Sequence, residues 1–218
     1  FCVALLSRKT GKPVKIVHTR EEEFYCTRRR HPMRIKLKTG VKKDGTILAV
    51  DCYYVIDNGA YNAVGPIVLQ LSSIAISSGP YRTPNVRHRG LLVYTNNPVS
   101  GAMRGLGSVQ IGFAMDSQLD ILANDLGMDP VEIRLRNARR PGEVTPDECK
   151  ITSCGLSECI QKTEEISGWK KTGKGSQPYH GTGIACASYY SGVPWPFNAS
   201  AAFVKVHEDG GISLLTGA

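Results

Sequence analysis

One arginine placed among three glycines, in the stretch from Asn96 to Gln110, is the part of this sequence best suited to chemistry. Gly101, Gly105 and Gly107 surround Arg104. Glycine tolerates a positive φ and lets a backbone approach another group closely. A strand pattern precedes the stretch and a helical pattern follows it, so the unpaired N–H groups of a helix N-terminus would add to the positive charge. The stretch is therefore predicted to bind a phosphate or another ligand rich in hydrogen-bonding groups.

Two other interpretations of this loop stay open on local chemistry alone. It can be an ordinary strand-to-helix turn with a solvated arginine, since glycines mark turns in most proteins. It also partly matches the fingerprint of dinucleotide-binding folds, because Gly105-Leu106-Gly107 lies between a strand and a helix. However, Gln110 occupies the place of the third glycine, and no second strand with an acidic residue follows at the required distance.

The seven cysteines form an odd set without closely spaced pairs, which is typical of reduced thiols in a cytoplasm. Cys149, Cys154 and Cys159 recur at intervals of five, and three thiolates could begin a metal site. No CxxC pair and no nearby histidine completes tetrahedral ligation. We therefore predict structural cysteines and no metal ligands.

Two isolated polar residues are weaker candidates. Asp57 could be a general base, but it opens an Asp-Asn-Gly sequence that is typical of a turn. His88 lies between Arg87 and Arg89 in a strand pattern and has no metal-ligand spacing. We expect a turn at Asp57 and a surface or interstrand histidine at His88.

The net charge of +8 raises the question of nucleic acid. The densest basic cluster, Arg28 to His31, lacks interleaved aromatic residues and matches no nucleic-acid-binding module. We predict no nucleic-acid partner and assign the cluster to solvated surface, or to a patch that receives an acidic substrate or a partner subunit. No apolar run approaches the ~20 residues that span a bilayer, and no leader opens the sequence, so a cytoplasmic protein without a membrane span is expected.

Periodic hydrophobic patterns predict the elements that would position the loop. Two alternating runs, 34–42 and 46–56, form a hairpin around Lys43-Asp44-Gly45, and 86–94 is a further strand. Helix 109–126 has one apolar face made of Ile111, Met115, Leu119, Leu122 and Leu126, which Asp116, Asp120 and Asp125 do not interrupt. The remaining predictions are helices at 1–9, 19–25, 66–78 and 156–166 and one beginning at 130, strands at 14–18 and 180–190, a hairpin of 201–206 with 212–215, and loops at 173–178 and 192–198.

Several motifs occur in an order that points to one family. They are Thr19-Arg20-Glu21-Glu22, Arg30-His31-Pro32, Asp57-Asn58-Gly59-Ala60-Tyr61, Pro80-Tyr81-Arg82-Thr83-Pro84-Asn85, Gly101-Ala102-Met103-Arg104-Gly105 and Leu126-Gly127-Met128-Asp129-Pro130. Together they resemble the molybdenum hydroxylases, the xanthine dehydrogenase and aldehyde oxidase family, most closely from Lys12 to Asn137. The tract from Thr145 to Cys159 resembles the bacterial branch of 4-hydroxybenzoyl-CoA reductase alpha subunits. The resemblance implies an α+β fold of mixed sheets with packed helices.

The resemblance also implies a function and a set of cofactors. Complete enzymes of this family hold molybdenum on a molybdopterin, with the cytosine dinucleotide form expected here. They oxidise aldehydes or N-heterocycles with water as the oxygen source, or reduce an aromatic thioester in one branch. Two-iron two-sulfur clusters and FAD lie on partner domains or subunits. The alternative is a structural or interaction module that has the fold but no catalytic role.

When the functional positions of the family are matched to this sequence, the resemblance implies a set of site residues. Gly101, Ala102, Met103, Arg104, Gly105 and Gly107 would bind the cofactor, with Arg104 also in a catalytic role at the wall of the site. Leu106 occupies the place of an aromatic residue that packs on substrate in xanthine dehydrogenase, which argues against purine specificity. Tyr190, Gly192 and Trp195 fall in a region that resembles the substrate-pocket loop.

The domain organisation follows from the loss of periodicity between Arg139 and Lys150. We predict a first molybdopterin-binding subdomain at 1–140, a linker at 141–150 and the start of a second subdomain at 151–218. The sequence opens inside a helical pattern and lacks two glycine-rich segments and the distal glutamate base of the family. We therefore expect an internal fragment of the large subunit, inactive by itself, whose other parts supply most of the cofactor site.

Overall fold

Three predicted runs of alternating residues form the strands of one sheet. The computed structural model describes residues 1–170, 179–189 and 200–217. Strands β1 (Met33–Val41) and β2 (Ile47–Asp57) pair antiparallel, and β3 (Val86–Val93) lies parallel to β2 on its other side. The inward side chains of β2 alternate with more exposed ones, which is the pattern of a sheet with one face in the core. The predicted α+β class with a mixed sheet is confirmed.

Helices α3 (Gly65–Ser77) and α4 (Ser108–Leu126) pack on this sheet, and α3 lies in the connection between β2 and β3. Because β2 and β3 are parallel, the chain must cross over between them, and a buried helix makes the crossing. The helices of the described part are α1 (Cys2–Thr10), α2 (Arg20–Cys26), α3 (Gly65–Ser77), α4 (Ser108–Leu126), α5 (Pro130–Asn137) and α6 (Leu156–Ser167). Helix α4 contacts α3, α5 and β1, so it is the support on which the preceding loop ends.

Helix ends follow the capping residues in the sequence. The spacing of Thr19 and Glu22 predicts a capping box, and it is complete: Thr19 accepts from the Glu22 N–H while the Glu22 carboxylate accepts from the Thr19 N–H. Gly11 and Gly127 end their helices in the left-handed region. Asp129 caps α5 through the Val131 N–H, whereas Glu132 accepts from Arg136. The spacing of Asp129 and Glu132 predicts a second capping box, but Glu132 instead forms an ion pair within the helix.

The predicted apolar face of α4 is confirmed in its first half. Ile111, Met115 and Leu119 are buried, while Leu122 and Leu126 are partly buried against the same core. Asp116 is a correction, because it lies in the core and not on a polar face. Burial of such a carboxylate is tolerated only when charge and hydrogen bonds compensate it.

A buried polar network compensates Asp116 and joins α4 to α5. Its Oδ1 accepts from the Tyr81 hydroxyl at 2.7 Å, from Arg134 Nε at 3.0 Å and from the Cys186 N–H at 3.1 Å. Arg134, whose side chain is 0% exposed, also donates to Asp120 and to the Pro130 carbonyl. Burial and the charge of Asp116 raise the pKa of Tyr81, which keeps its hydroxyl protonated as a donor.

Several elements differ from the sequence predictions. The run Val14 to His18 is mostly exposed and pairs with none of the described strands, so the predicted strand does not form. Residues 180–189 of the strand predicted at 180–190 are likewise irregular, although Cys186 packs into the core. The apolar pattern of α6 predicts that Leu156, Cys159, Ile160 and Thr163 face inward. Ile160 is buried and Leu156 is partly buried, whereas Cys159 and Thr163 are exposed.

The C-terminal residues form a separate hairpin. Contacts divide the chain into two compact units, Phe1–Ser188 and Tyr189–Ala218. In the second unit β4 (Ala202–Val206) pairs antiparallel with β5 (Ile212–Thr216), as predicted. The subdomain division at 141–150 stays a prediction. Within the described residues, no helix is long and apolar enough to cross a bilayer.

Candidate functional site

The loop between β3 and α4 is fastened to two other segments by backbone hydrogen bonds. The Ser100 N–H donates to the Asn58 carbonyl at 3.1 Å, and the Gly101 N–H donates to the Arg29 carbonyl at 2.9 Å. Arg29 and Ser100 also form an isolated parallel bridge. The loop is therefore held as the central member of a small layer made of the 28–31 segment, the turn after β2 and the loop itself.

Asp57 organises the turn that follows β2. Its carboxylate accepts from the Gly59 N–H at 2.8 Å, from Thr95 Oγ1 at 2.6 Å and from Asn97 Nδ2 at 2.6 Å. Burial opposes ionisation, but these hydrogen bonds and the nearby Arg29 together lower the pKa of Asp57. A carboxylate whose oxygens are so engaged is a poor proton acceptor, which agrees with the predicted turn.

The predicted cofactor residues divide into buried and exposed members. Gly101 and Gly107 are buried, Gly105 and Leu106 are half-buried, and Ala102, Met103 and Arg104 are exposed. Leu106 packs against the main core. The guanidinium of Arg104 forms no hydrogen bond or ion pair within the described residues, whereas its carbonyl accepts from Arg30 Nη2 at 2.7 Å. In the described part of the chain, the loop thus presents an unpaired cation on a fixed backbone.

The glycines of the loop serve packing inside the chain. A Cβ at Gly107, where φ is +91°, would lie 2.4 Å from Ser72 Oγ and 2.7 Å from the Val68 carbonyl oxygen of α3. A Cβ at Gly101 would lie 2.5 Å from Cδ of Arg28. The close approach expected at these two positions is therefore to other parts of the same chain.

Replacing Gly107 with alanine is expected to reduce the free energy of unfolding by about 1–3 kcal/mol, since both the positive φ and the contact with α3 oppose a Cβ. Gly112, inside α4, is the matched control because its added Cβ would meet nothing within 4 Å. Gly112→Ala should stabilise by about 0.5–1 kcal/mol through helix propensity. Urea denaturation of both variants measures the difference, and equal effects would contradict this account of Gly107.

His31 is the residue of this region that the sequence interpretation missed. The charge run 28–31 predicts solvated surface, yet His31 is only 2% exposed. Its Nε2 lies 3.3 Å from Asn58 Oδ1, and its carbonyl accepts from Gln110 Nε2 at 3.0 Å. Because three arginines precede His31, local composition predicts that the whole segment is exposed. The only sequence feature that singled out His31 was the Arg30-His31-Pro32 motif.

Burial makes the stability of this region depend on pH. Desolvation lowers the pKa of His31 from 6.5, and hydrogen bonds to Asn58 and the Gly101 backbone with the charge of Asp57 oppose this only in part. The unfolded chain therefore binds the proton first as the pH falls. The contribution of neutral His31 to the free energy of unfolding is fully present above the pKa of this histidine in the unfolded chain. It declines as the pH falls from that pKa to the lower pKa of His31 in the folded chain.

Lowering the pH from about 7.5 to about 5.5 should reduce the free energy of unfolding more in the wild type than in His31→Gln. His88, which is exposed, supplies the control, and His88→Gln should keep the wild-type dependence. Denaturation curves at each pH measure it. A wild-type slope in His31→Gln would show that another group is responsible.

The cavities of the first unit, in the part that the structure describes, include a small one and a larger one. The smaller, about 30 Å³, lies by Tyr81, Met115, Asp116 and Cys186, and the larger, about 480 Å³, lies by Arg82, Thr83, Arg139 and Glu143. Arg104 lines neither. Tyr190, Gly192 and Trp195 lie outside the described residues, so their predicted place in a substrate pocket stays a prediction.

Metal-binding side chains do not cluster within the described residues. No group of three or more His, Cys, Asp and Glu side chains there could hold an ion. Cys149 and Cys154 are half-buried and Cys159 is exposed, and all three are free thiols. Burial raises the pKa of the Cys52 thiol to about 11, so this core cysteine stays protonated.

Comparisons with known proteins agree on one family. The sequence pattern of the molybdopterin cofactor-binding domain matches residues 1–138. A putative xanthine dehydrogenase molybdenum-binding subunit of Escherichia coli is 39% identical over 98% of this chain and 29% of its own length. The nicotinate dehydrogenase large molybdopterin subunit of Eubacterium barkeri is 42% identical over 78% of this chain and 41% of its own length.

A solved structure matches nearly the whole chain. The aldehyde oxidoreductase of Desulfovibrio gigas superposes with a TM-score of 0.82 at 32% sequence identity, covering 98% of this chain and 24% of that protein. The chain therefore spans between about a quarter and two fifths of the length of these relatives.

Proposed function

This chain belongs to the molybdopterin cofactor-binding domain family, and on that premise we propose that it forms part of the molybdenum subunit of a hydroxylase, with the 101–107 loop against the cofactor. The observation that carries the proposal is the continuous family match over 1–138, because it contains both the Arg104 loop and the 28–31 segment that fastens it. Residues remote in sequence are thus held together within the matched region.

Three polar atoms around the loop have hydrogen-bonding capacity that no described residue uses. Arg30 Nη1, Ser100 Oγ and Gln110 Oε1 are buried and have no hydrogen-bond partner among the described residues. They offer a cationic donor, a hydroxyl and an amide acceptor, which are the groups that a pterin edge or a phosphate can engage. The N-terminus of α4 begins at Gly107 without a side-chain cap, so its N–H groups add partial positive charge beside them.

Each loop residue then has a role. Met103 and Gly105 line the cofactor face, and the exposed guanidinium of Arg104 binds the cofactor or stabilises negative charge at the wall of the active site. Gly101 and Gly107 contribute indirectly by allowing the loop to pack on Arg28 and α3. When bound, the molybdenum centre supplies the redox chemistry, while these side chains orient and neutralise.

The substrate class we propose is an aldehyde, an N-heterocycle or an aromatic thioester. Leu106 lies where a stacking aromatic residue would favour a purine, and it is turned partly into the core. The proposal that this chain belongs to the bacterial branch of 4-hydroxybenzoyl-CoA reductases is supported only by the tract from Thr145 to Cys159. The relatives described above are named for xanthine, nicotinate and aldehydes. We also propose the cytosine dinucleotide form of the cofactor and a cytoplasmic location.

The partners follow from the electron path of such enzymes. We propose that two-iron two-sulfur clusters and FAD on other domains or subunits accept the electrons, and that the remainder of the molybdenum subunit completes the cofactor site. On this view the isolated chain has no turnover.

Molybdenum and pterin analysis of the full-length complex, followed by a substrate panel, tests the proposal. We expect stoichiometric molybdenum, released pterin, and turnover of at least one of the three substrate classes. The same complex from a host that cannot make molybdopterin is the control and should be inactive. A full-length complex that contains neither metal nor pterin would instead favour a structural or interaction module.

A further inference from the structure

We propose that Arg30 is the positioning residue that sets the direction of Arg104, an inference that rests on the proposed function. Arg30 and Arg104 are separated by 74 positions, and Nη2 of Arg30 donates to the Arg104 carbonyl at 2.7 Å. This contact ties the charge run of the sequence to the backbone of the residue that carries the proposed role.

The peptide between Arg104 and Gly105 needs such a restraint. Gly105, Leu106 and Gly107 have φ values of +81°, +27° and +91°, so three successive residues take uncommon backbone conformations. Glycine adopts positive and negative φ with similar ease, so the 104–105 peptide plane can rotate at little cost. A guanidinium bonded to the Arg104 carbonyl selects one orientation of that plane and anchors the Arg104 backbone, from which the side chain leaves, to the 28–31 segment.

The neighbours of Arg30 hold it in place for this task. The Arg29 carbonyl accepts from the Gly101 N–H, and the His31 carbonyl accepts from Gln110 Nε2. The aliphatic part of Arg28 covers Gly101. The four consecutive residues 28–31 therefore contact Gly101, Arg104 and Gln110. Among these four, Arg30 is the one that bonds Arg104 itself.

The test uses the full-length complex with Arg30→Met, which keeps the aliphatic stem and removes every donor. Arg34→Met is the matched control, since Arg34 is an exposed arginine on β1. We expect amide exchange from Gly105 to Ser108 to become about tenfold faster in Arg30→Met, and kcat per molybdenum to fall about tenfold with little change in KM. Arg34→Met should match the wild type in both.

A double-mutant cycle separates positioning from general stability. In an Arg104→Ala background the carbonyl remains but the oriented side chain is gone, so Arg30→Met should still accelerate loop exchange yet cause no further loss of kcat. An equal loss of kcat in both backgrounds, or wild-type exchange and kcat in the single variant, would overturn the inference. Wild-type turnover and molybdenum content in Arg104→Ala alone would overturn the proposed role of Arg104 as well.

Discussion

Arg104→Ala in the intact molybdenum subunit is expected to lower kcat per molybdenum by about two orders of magnitude without disturbing the fold. The expected size is that of removing one preorganised group that stabilises developing charge. The fold should persist because the Arg104 guanidinium has no hydrogen-bond or ion-pair partner within residues 1–170, 179–189 and 200–217 and is exposed. Steady-state kinetics normalised to metal content, with thermal melting by circular dichroism, measure the two halves of this prediction.

The control for this variant is Arg89→Ala. Arg89 is another exposed arginine, on β3, outside the loop. It should leave both turnover and melting temperature at wild-type values. If Arg104→Ala retained wild-type turnover and cofactor content, Arg104 would have neither a catalytic nor a cofactor-binding role.

Asp116→Asn is expected to produce the largest loss of stability, about 3–5 kcal/mol in the free energy of unfolding. The substitution removes the charge that compensates Arg134, which is fully buried, and it weakens the acceptor shared by Tyr81 and Cys186. Most of the loss is expected because the only carboxylate left facing the buried Arg134 guanidinium among the described residues is Asp120, whose side chain is 51% exposed. Urea denaturation followed by fluorescence reports it, because Trp169 contacts Asp129 at the start of α5.

Asp120→Asn provides the comparison for that loss. Asp120 bonds the same guanidinium at 2.8 Å, but its side chain is 51% exposed. Solvent can replace it, so the expected loss is at most about 1 kcal/mol. Similar losses in the two variants would mean that burial of Asp116 does not govern the stability of this network.

Local sequence patterns were sufficient to predict the helices and strands whose formation depends mainly on their own residues. The β1–β2 hairpin and α4 follow from alternation and a 3.6-residue period, and the Thr19 capping box from spacing alone. Val14 to His18 shows the limit of this argument, because an alternating run becomes a strand only when it pairs with another strand, and this run pairs with none of those described. Whether Val14 to His18 forms a strand therefore depends on tertiary contacts, which its own sequence does not reveal.

The environment of polar residues was harder to predict. Asp116 lies among apolar neighbours of α4, and its partner Arg134 comes from another helix, so no periodicity could reveal the pair. His31 is concealed in a charge run that composition assigns to solvent. The glycines around Arg104 indicated close approach, but whether to a ligand or to Ser72 and Arg28 depended on packing. The identity of the loop came from the order of motifs and not from any single residue.

The most direct test of the central claim is a structure of the full-length complex with its cofactor bound. The account predicts that the Arg104 guanidinium lies within hydrogen-bond distance, about 2.7–3.2 Å, of a cofactor or substrate oxygen or nitrogen, with the Arg30 bond to the Arg104 carbonyl still formed. A guanidinium directed into solvent, on a face of the loop turned away from the molybdenum centre, would contradict it.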